Sequence, residues 1–253
     1  MSPLTVRDRL RVLRAAERDL GRPLVTASER ELAGWLANPA WRPWTRCSYD
    51  SHLRSWYRWL VEHTVIDWSP MTRLRTPRRP HSAGRPCTYQ QWRVLMGGLP
   101  EPYRLWAVLM AGAGLRCCDL AQLRREHITP EHVWIRRSKG GSSRLVATHP
   151  FLWLCVRALP PGPVARFRDG RPAHAKAISE ACGRAFRRLG VEVTAHQLRH
   201  LFATGMRDAG VDLVVISDQM GHHSLDYTRG YLRIGEREGA DAVRALPFFA
   251  EAC

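Results

Sequence analysis

Across 253 residues the chain carries 39 basic side chains against 23 acidic ones, a formal +16, and a field of that sign favours a polyanionic partner such as nucleic acid or an acidic membrane surface. That length suffices for one large or two modest domains with real cores. There is no run of eighteen apolar residues, no leading hydrophobic stretch and no C-x-x-C pair among seven cysteines, which argues against a membrane span, a signal peptide, a disulfide framework or a zinc site and for a reduced intracellular protein.

Three helices are expected first: roughly Val6 to Leu20, a second opened by the capping box Thr26-x-x-Glu29 and running to about Asn38, and a third from Thr45. The third places Tyr49, Leu53, Trp56 and Leu60 at i, i+4, i+7 and i+11, one apolar stripe. Residues 1–86 hold sixteen arginines against eight acidic side chains, which suits a DNA clamp. The six tryptophans here (Trp35, Trp41, Trp44, Trp56, Trp59, Trp68) are expected in the core rather than as stacking platforms for bases. The stretch Arg78-Arg79-Pro80-His81-Ser82-Ala83-Gly84-Arg85-Pro86 sustains neither helix nor buried strand, so it is read as an interdomain linker over 79–86, between a helical domain at 1–78 and a second domain at 87–253.

The second domain opens with a helix start at Thr88-Tyr89-Gln90-Gln91 and a buried helix from about Glu101 to Met110, broken by Gly112 and Gly114 just before Arg116. His132-Val133-Trp134-Ile135-Arg136 and Arg144-Leu145-Val146-Ala147-Thr148 flank Ser138-Lys139-Gly140-Gly141 as a β-hairpin with Lys139 at its turn. From Pro172 the pattern is helical. Thr194 caps a helix with Gln197 three residues on, and Asp212 to Met220 forms another that Gly221 ends. Residues 236–246 predict a short helix with Ala240, Val243 and Leu246 on one side, followed by Pro247-Phe248-Phe249. So small an element cannot bury two phenylalanines alone and must dock.

Cutting a phosphodiester without a metal needs a nucleophile, positive charge for a pentacoordinate phosphorane and an acid for the departing 5′ oxygen. Arg116 and Arg199 suit the charge, because a guanidinium grips two oxygens and keeps its proton. His196 lies at i and i+3 with Arg199 on one helix face, and His200 beside it is a second candidate imidazole. His222 follows Gly221, where an imidazole can hydrogen-bond a phosphate oxygen. Lys139 is one of only two lysines in the chain, Lys176 being the other, and lysine can give up a proton where arginine cannot. Tyr231 stands nine residues after His222 and is the candidate nucleophile; Tyr227 is four residues before it.

The order of these pieces resembles the phage-integrase family of tyrosine recombinases. The family's G-L-R-x-x-E-L pattern is matched by Gly114-Leu115-Arg116-Cys117-Cys118-Asp119-Leu120 with aspartate in place of glutamate, its hairpin lysine by Lys139, its H-x-x-R by His196 and Arg199, its G-H by Gly221-His222 and its nucleophile by Tyr231. The helix around Trp56-Tyr57-Arg58-Trp59-Leu60 looks like the family's core-binding domain. The resemblance implies a mainly α fold with a small β-hairpin, a helical core-binding domain and an α+β catalytic domain, in the small form that lacks an arm-binding domain. It implies site-specific recombination for phage or mobile-element integration and excision, through a 3′-phosphotyrosyl intermediate and a Holliday junction, with no cofactor, ATP or metal. The implied partners are double-stranded core sites, a dimer on each and a tetramer when they synapse, with host architectural or directionality factors and no membrane. The implied location is the cytoplasm, with the nucleoid or in the host of a phage. The tail from about 235 would contact a neighbouring protomer. A catalytically dead DNA-binding protein and a type IB topoisomerase are the alternatives.

Overall fold

The computed structural model of this chain describes residues 3–78, 80, 85–136, 143–221, 241, 243, 244 and 246, divided between two compact units, 1–83 and 84–253. The described chain is mainly helical with one two-stranded antiparallel sheet.

In the first unit α1 (Pro3–Leu20), α2 (Glu29–Leu36) and α3 (Pro43–Glu62) enclose a small core that includes Val12, Ala16, Leu32, Leu53 and Leu60. The capping box of α2 is not Thr26 with Glu29. Thr26 sits in a 3₁₀ turn (Leu24–Thr26) and gives its hydroxyl to the Pro23 carbonyl, whereas Ser28 accepts from the Glu31 amide and Glu31 accepts from the Ser28 amide. The same spacing recurs two residues later, and the later copy is the one free to cap. α3 begins two residues earlier than expected, at Pro43, whose fixed φ suits the first helical position. Its buried stripe is Leu53, Tyr57 and Leu60; Tyr49 and Trp56 flank it half-buried. Arg54 is structural: it pairs with buried Asp50 at 2.9 Å and donates to the carbonyls of Met71 and Leu74.

Half of the six tryptophans depart from the expected core placement. Trp35 is buried and Trp41 and Trp56 are packed against the core, but Trp44, Trp59 and Trp68 are 51%, 45% and 59% exposed. A three-helix unit has too little interior for six indoles. Trp59 instead stacks on Trp56 at 5.4 Å and on His63 at 4.4 Å along the surface of α3.

The second unit is built around α5 (Tyr103–Gly112), which is buried on every side from Trp106 to Gly112 and packs on α6 (Cys117–Gln122), α7 (Pro150–Val156), α8 (Ala175–Arg188) and α9 (Ala195–Asp208). α4 (Tyr89–Gly98) starts at the Thr88–Gln91 capping box. β1 (His132–Ile135) pairs with β2 (Arg144–Ala147) in a register that sets Val133 opposite Val146 and Ile135 opposite Arg144. Val133, Ile135 and Val146 face the core, and the Trp134–Leu145 pair faces out. α7, absent from the sequence-based reading, begins with Pro150 at its first position and is capped by His149, whose Nδ1 accepts from the Phe151 amide at 3.1 Å. α10 (Leu213–Met220) is capped by Asp212 and stopped by Gly221 at φ 61°.

Val243 and Leu246 are buried in this same core, and the backbone at Arg244 hydrogen-bonds His149. The rest of the tail, including Phe248 and Phe249, on which contact with a neighbouring copy was expected, lies outside the described residues. Burial of the His149 imidazole lowers its pKa to about 4.

Candidate active site

Three chain segments meet where α5 ends. The chain leaves α5 through Gly114 at φ 58°, where a Cβ would lie 2.7 Å from the Phe202 ring of α9. Glycine therefore serves twice there, allowing the left-handed turn and letting α9 come close. The turn delivers Arg116 to the start of α6, where its amide donates to Asp119 Oδ2 at 3.1 Å and its Nη2 donates to the Gly221 carbonyl at 3.4 Å.

Arg199 enters from α9, whose first turn is set by the Thr194 amide donating to Gln197 Oε1 at 2.8 Å. Its side chain is fully buried and donates to the Gly114 carbonyl from one nitrogen and to the Met220 carbonyl from the other. It thereby ties the end of α5 to the end of α10. Burial first, then the charges of Arg116 and Arg144, pull the Arg199 pKa well below the ordinary arginine value, although a guanidinium keeps its proton at working pH.

His196 lies one turn before His200, and the two rings meet edge-on at 4.7 Å. Desolvation lowers both imidazoles below the ordinary histidine pKa; for His196 the neighbouring His200, Arg199 and Arg116 add to the effect, and for His200 Arg199 does. The field of Arg116 thus reaches His196, which presents a neutral imidazole at neutral pH.

The structure brings Arg116, His196 and Arg199 together. Lys139, His222 and Tyr231 lie outside the described residues. The residue before His222 is described: the Gly221 carbonyl accepts from Arg116, and a Cβ at Gly221 would stand 3.0 Å from the Arg144 side chain.

Arg144 itself escaped the sequence-based reading. Its Nη2 donates to Asp119 Oδ2 at 3.1 Å, and its side chain is 9% exposed. Desolvation lowers its pKa. A signal was available, because strand alternation puts Arg144 on the same side as Val146, the buried face, where an arginine needs a partner. Asp119, one methylene shorter than the family's glutamate, reaches the Arg116 amide and Arg144 but stays 3.9 Å from Arg116 Nη1. Arg116 and Arg144 flank one buried carboxylate and Arg199 lies within reach of its field, so three guanidinium charges share one negative charge in a desolvated place. Such a site attracts an oxyanion and would stabilise negative charge that grows on it.

The sequence profile described as the phage integrase family matches residues 94–238. Tyrosine recombinase XerA of Pyrococcus furiosus is 30% identical over 185 residues, 68% of this chain and 65% of that protein, so the chain spans less than two thirds of that relative's length. Among solved structures, the integrase from mycobacterium phage Brujita is 27% identical with a TM-score of 0.60, covering 98% of this chain and 88% of the other. The lambda integrase (75–356) dimer bound to a COC' core site has a TM-score of 0.74 at 18% identity, covering 88% and 89%, a likeness of fold.

Proposed function

Since the chain belongs to the phage integrase family, we propose that it is a tyrosine site-specific recombinase that cuts and rejoins double-stranded DNA through a 3′-phosphotyrosyl intermediate. The carrying observation is the meeting of Arg116, from the turn after α5, with His196 and Arg199, from one face of α9, around a buried surplus of positive charge. In this reading Arg116 and Arg199 hold the non-bridging oxygens of the scissile phosphate. The Tyr231 hydroxyl attacks phosphorus and loses its proton, the bond to the 5′ oxygen breaks, and Lys139 protonates that oxygen; rejoining reverses each step. A free phenol, with a pKa near 10, costs about 4 kcal/mol to ionise at neutral pH. A neutral His196 can accept the proton and the arginine field can stabilise the phenolate, while His222 hydrogen-bonds the phosphate.

The net charge of +16 supports a DNA partner. Assembly on synapsed sites as a tetramer is part of the proposal, supported by a fold shared with a lambda integrase tetramer bound to a Holliday junction. So is a role in phage or mobile-element integration and excision, which the likeness to the Brujita phage integrase supports. A nicked suicide substrate tests the reading: the chain should form a covalent adduct that denaturation does not dissociate. Tyr231→Phe should abolish the adduct and spare binding, whereas Tyr227→Phe should not affect it. An adduct that survives Tyr231→Phe removes the proposed nucleophile.

A further inference from the structure

We propose that Arg144 is a positioning residue that holds the Asp119 carboxylate off the Arg116 guanidinium and so leaves Arg116 free to take an oxyanion. The inference rests on the functional reading above only in calling that oxyanion the scissile phosphate.

Three nitrogen donors approach Asp119 Oδ2, while the Cys118 thiol lies 3.8 Å from Oδ1. The Arg116 amide and Arg144 Nη2 both lie 3.1 Å from Oδ2, while Arg116 Nη1 stops at 3.9 Å, beyond hydrogen-bond range. Arg116 Nη1 is buried and has no hydrogen-bond partner. A buried charged donor left bare is costly, and its natural complement is an acceptor supplied by a ligand. Asp119 is the acceptor nearest at hand: carboxylate and guanidinium match as a two-pronged pair, and that pairing would neutralise Arg116 as a phosphate receptor. Arg144 prevents it by occupying the same oxygen.

The fold gives Arg144 little choice. Hairpin register sets it opposite Ile135 on the buried face, and its stem lies against Gly221, where any Cβ would crowd it at 3.0 Å. The same Gly221 accepts from Arg116 Nη2, so one turn limits both guanidinium groups. Nε and Nη1 of Arg144 are also buried without acceptors. The cluster is short of negative charge, and how the single carboxylate is shared decides which arginine stays available.

The test uses the full chain with inorganic phosphate as the probe, reading affinity from the rise in melting temperature with phosphate against chloride at equal ionic strength. Arg144→Gln should weaken phosphate binding about tenfold, the scale of a lost charged hydrogen bond, because Asp119 then closes on Arg116. Adding Asp119→Asn should restore most of the affinity: the amide oxygen still accepts from the Arg116 backbone, but no charge competes for the guanidinium. An Arg144 that touched the anion directly, or served only the fold, would show no such rescue. A double variant as weak as the single, or an Arg144→Gln protein that binds phosphate as wild type does, overturns the inference. Should Arg144→Gln fail to fold, the double variant, which buries no unpaired carboxylate, decides alone: wild-type affinity supports the proposal and tenfold weaker binding refutes it. Covalent trapping with Tyr231→Phe tests the recombinase reading separately, so either result can fail without the other.

Discussion

At the scale of single residues, Gly114 links the chain's local conformation to the site. Its positive φ turns the chain from α5 toward Arg116, its missing Cβ admits the Phe202 ring, and its carbonyl accepts from Arg199. Gly114→Ala would impose a left-handed alanine and a 2.7 Å clash together. The expected cost is about 2–4 kcal/mol from strain and overpacking, read as a lower urea midpoint. Because the same carbonyl anchors Arg199, adduct formation should fall further than the loss of folded protein explains. A variant with an unchanged midpoint would show that the turn relaxes freely.

Among the elements, α7 and the buried tail residues form one unit through His149. The imidazole caps α7 by accepting from Phe151 and bonds the backbone at Arg244, between buried Val243 and Leu246. Its folded pKa of about 4 lies below the ordinary histidine value near 6.5, so the unfolded chain binds the extra proton first. Its contribution to stability is therefore intact above pH 6.5 and is lost as pH falls from there toward 4. His149→Asn keeps a side-chain acceptor at the cap but does not titrate in this range. Urea midpoints at pH 7 and 4.5 should therefore lie closer together in the variant than in wild type; equal spacing would mean that protonating His149 does not oppose folding.

For the whole molecule the distribution of charge matters most. Residues 1–86 hold sixteen arginines and eight acidic side chains, half of the net +16 in about a third of the length. Some of that charge is committed inside the fold, as the Arg54–Asp50 pair shows, and the exposed Trp44 and Trp59 add apolar surface beside the rest. If this unit grips DNA, each phosphate contact contributes about −0.9 to the slope of log K against log salt. A fragment 84–253, which has its own core, should then bind more weakly with a flatter slope. Equal affinity and equal slope for fragment and full chain would remove the first unit from the interface.

Features that depend on a few neighbouring residues were legible in the sequence. Thr194 and Gln197 start α9, Gly221 stops α10, and alternation around a glycine-rich turn places both strands of the hairpin, because capping, periodicity and turn chemistry act over a handful of positions. The family was legible as well, in Gly114-Leu115-Arg116, the His196–Arg199 pair and the step from His222 to Tyr231. Only the tertiary structure decided that Thr26 would cede its cap to Ser28, that three of the tryptophans would stay outside, and that Val243 and Leu246 would enter the chain's own core. It also decided that Arg199 would serve carbonyls 85 and 21 residues away and that Asp119 would be shared with an arginine 25 residues on. A local pattern can say that a charge lies on a buried face. Which groups answer that charge depends on where distant elements come to rest, and that is settled by packing the whole core at once.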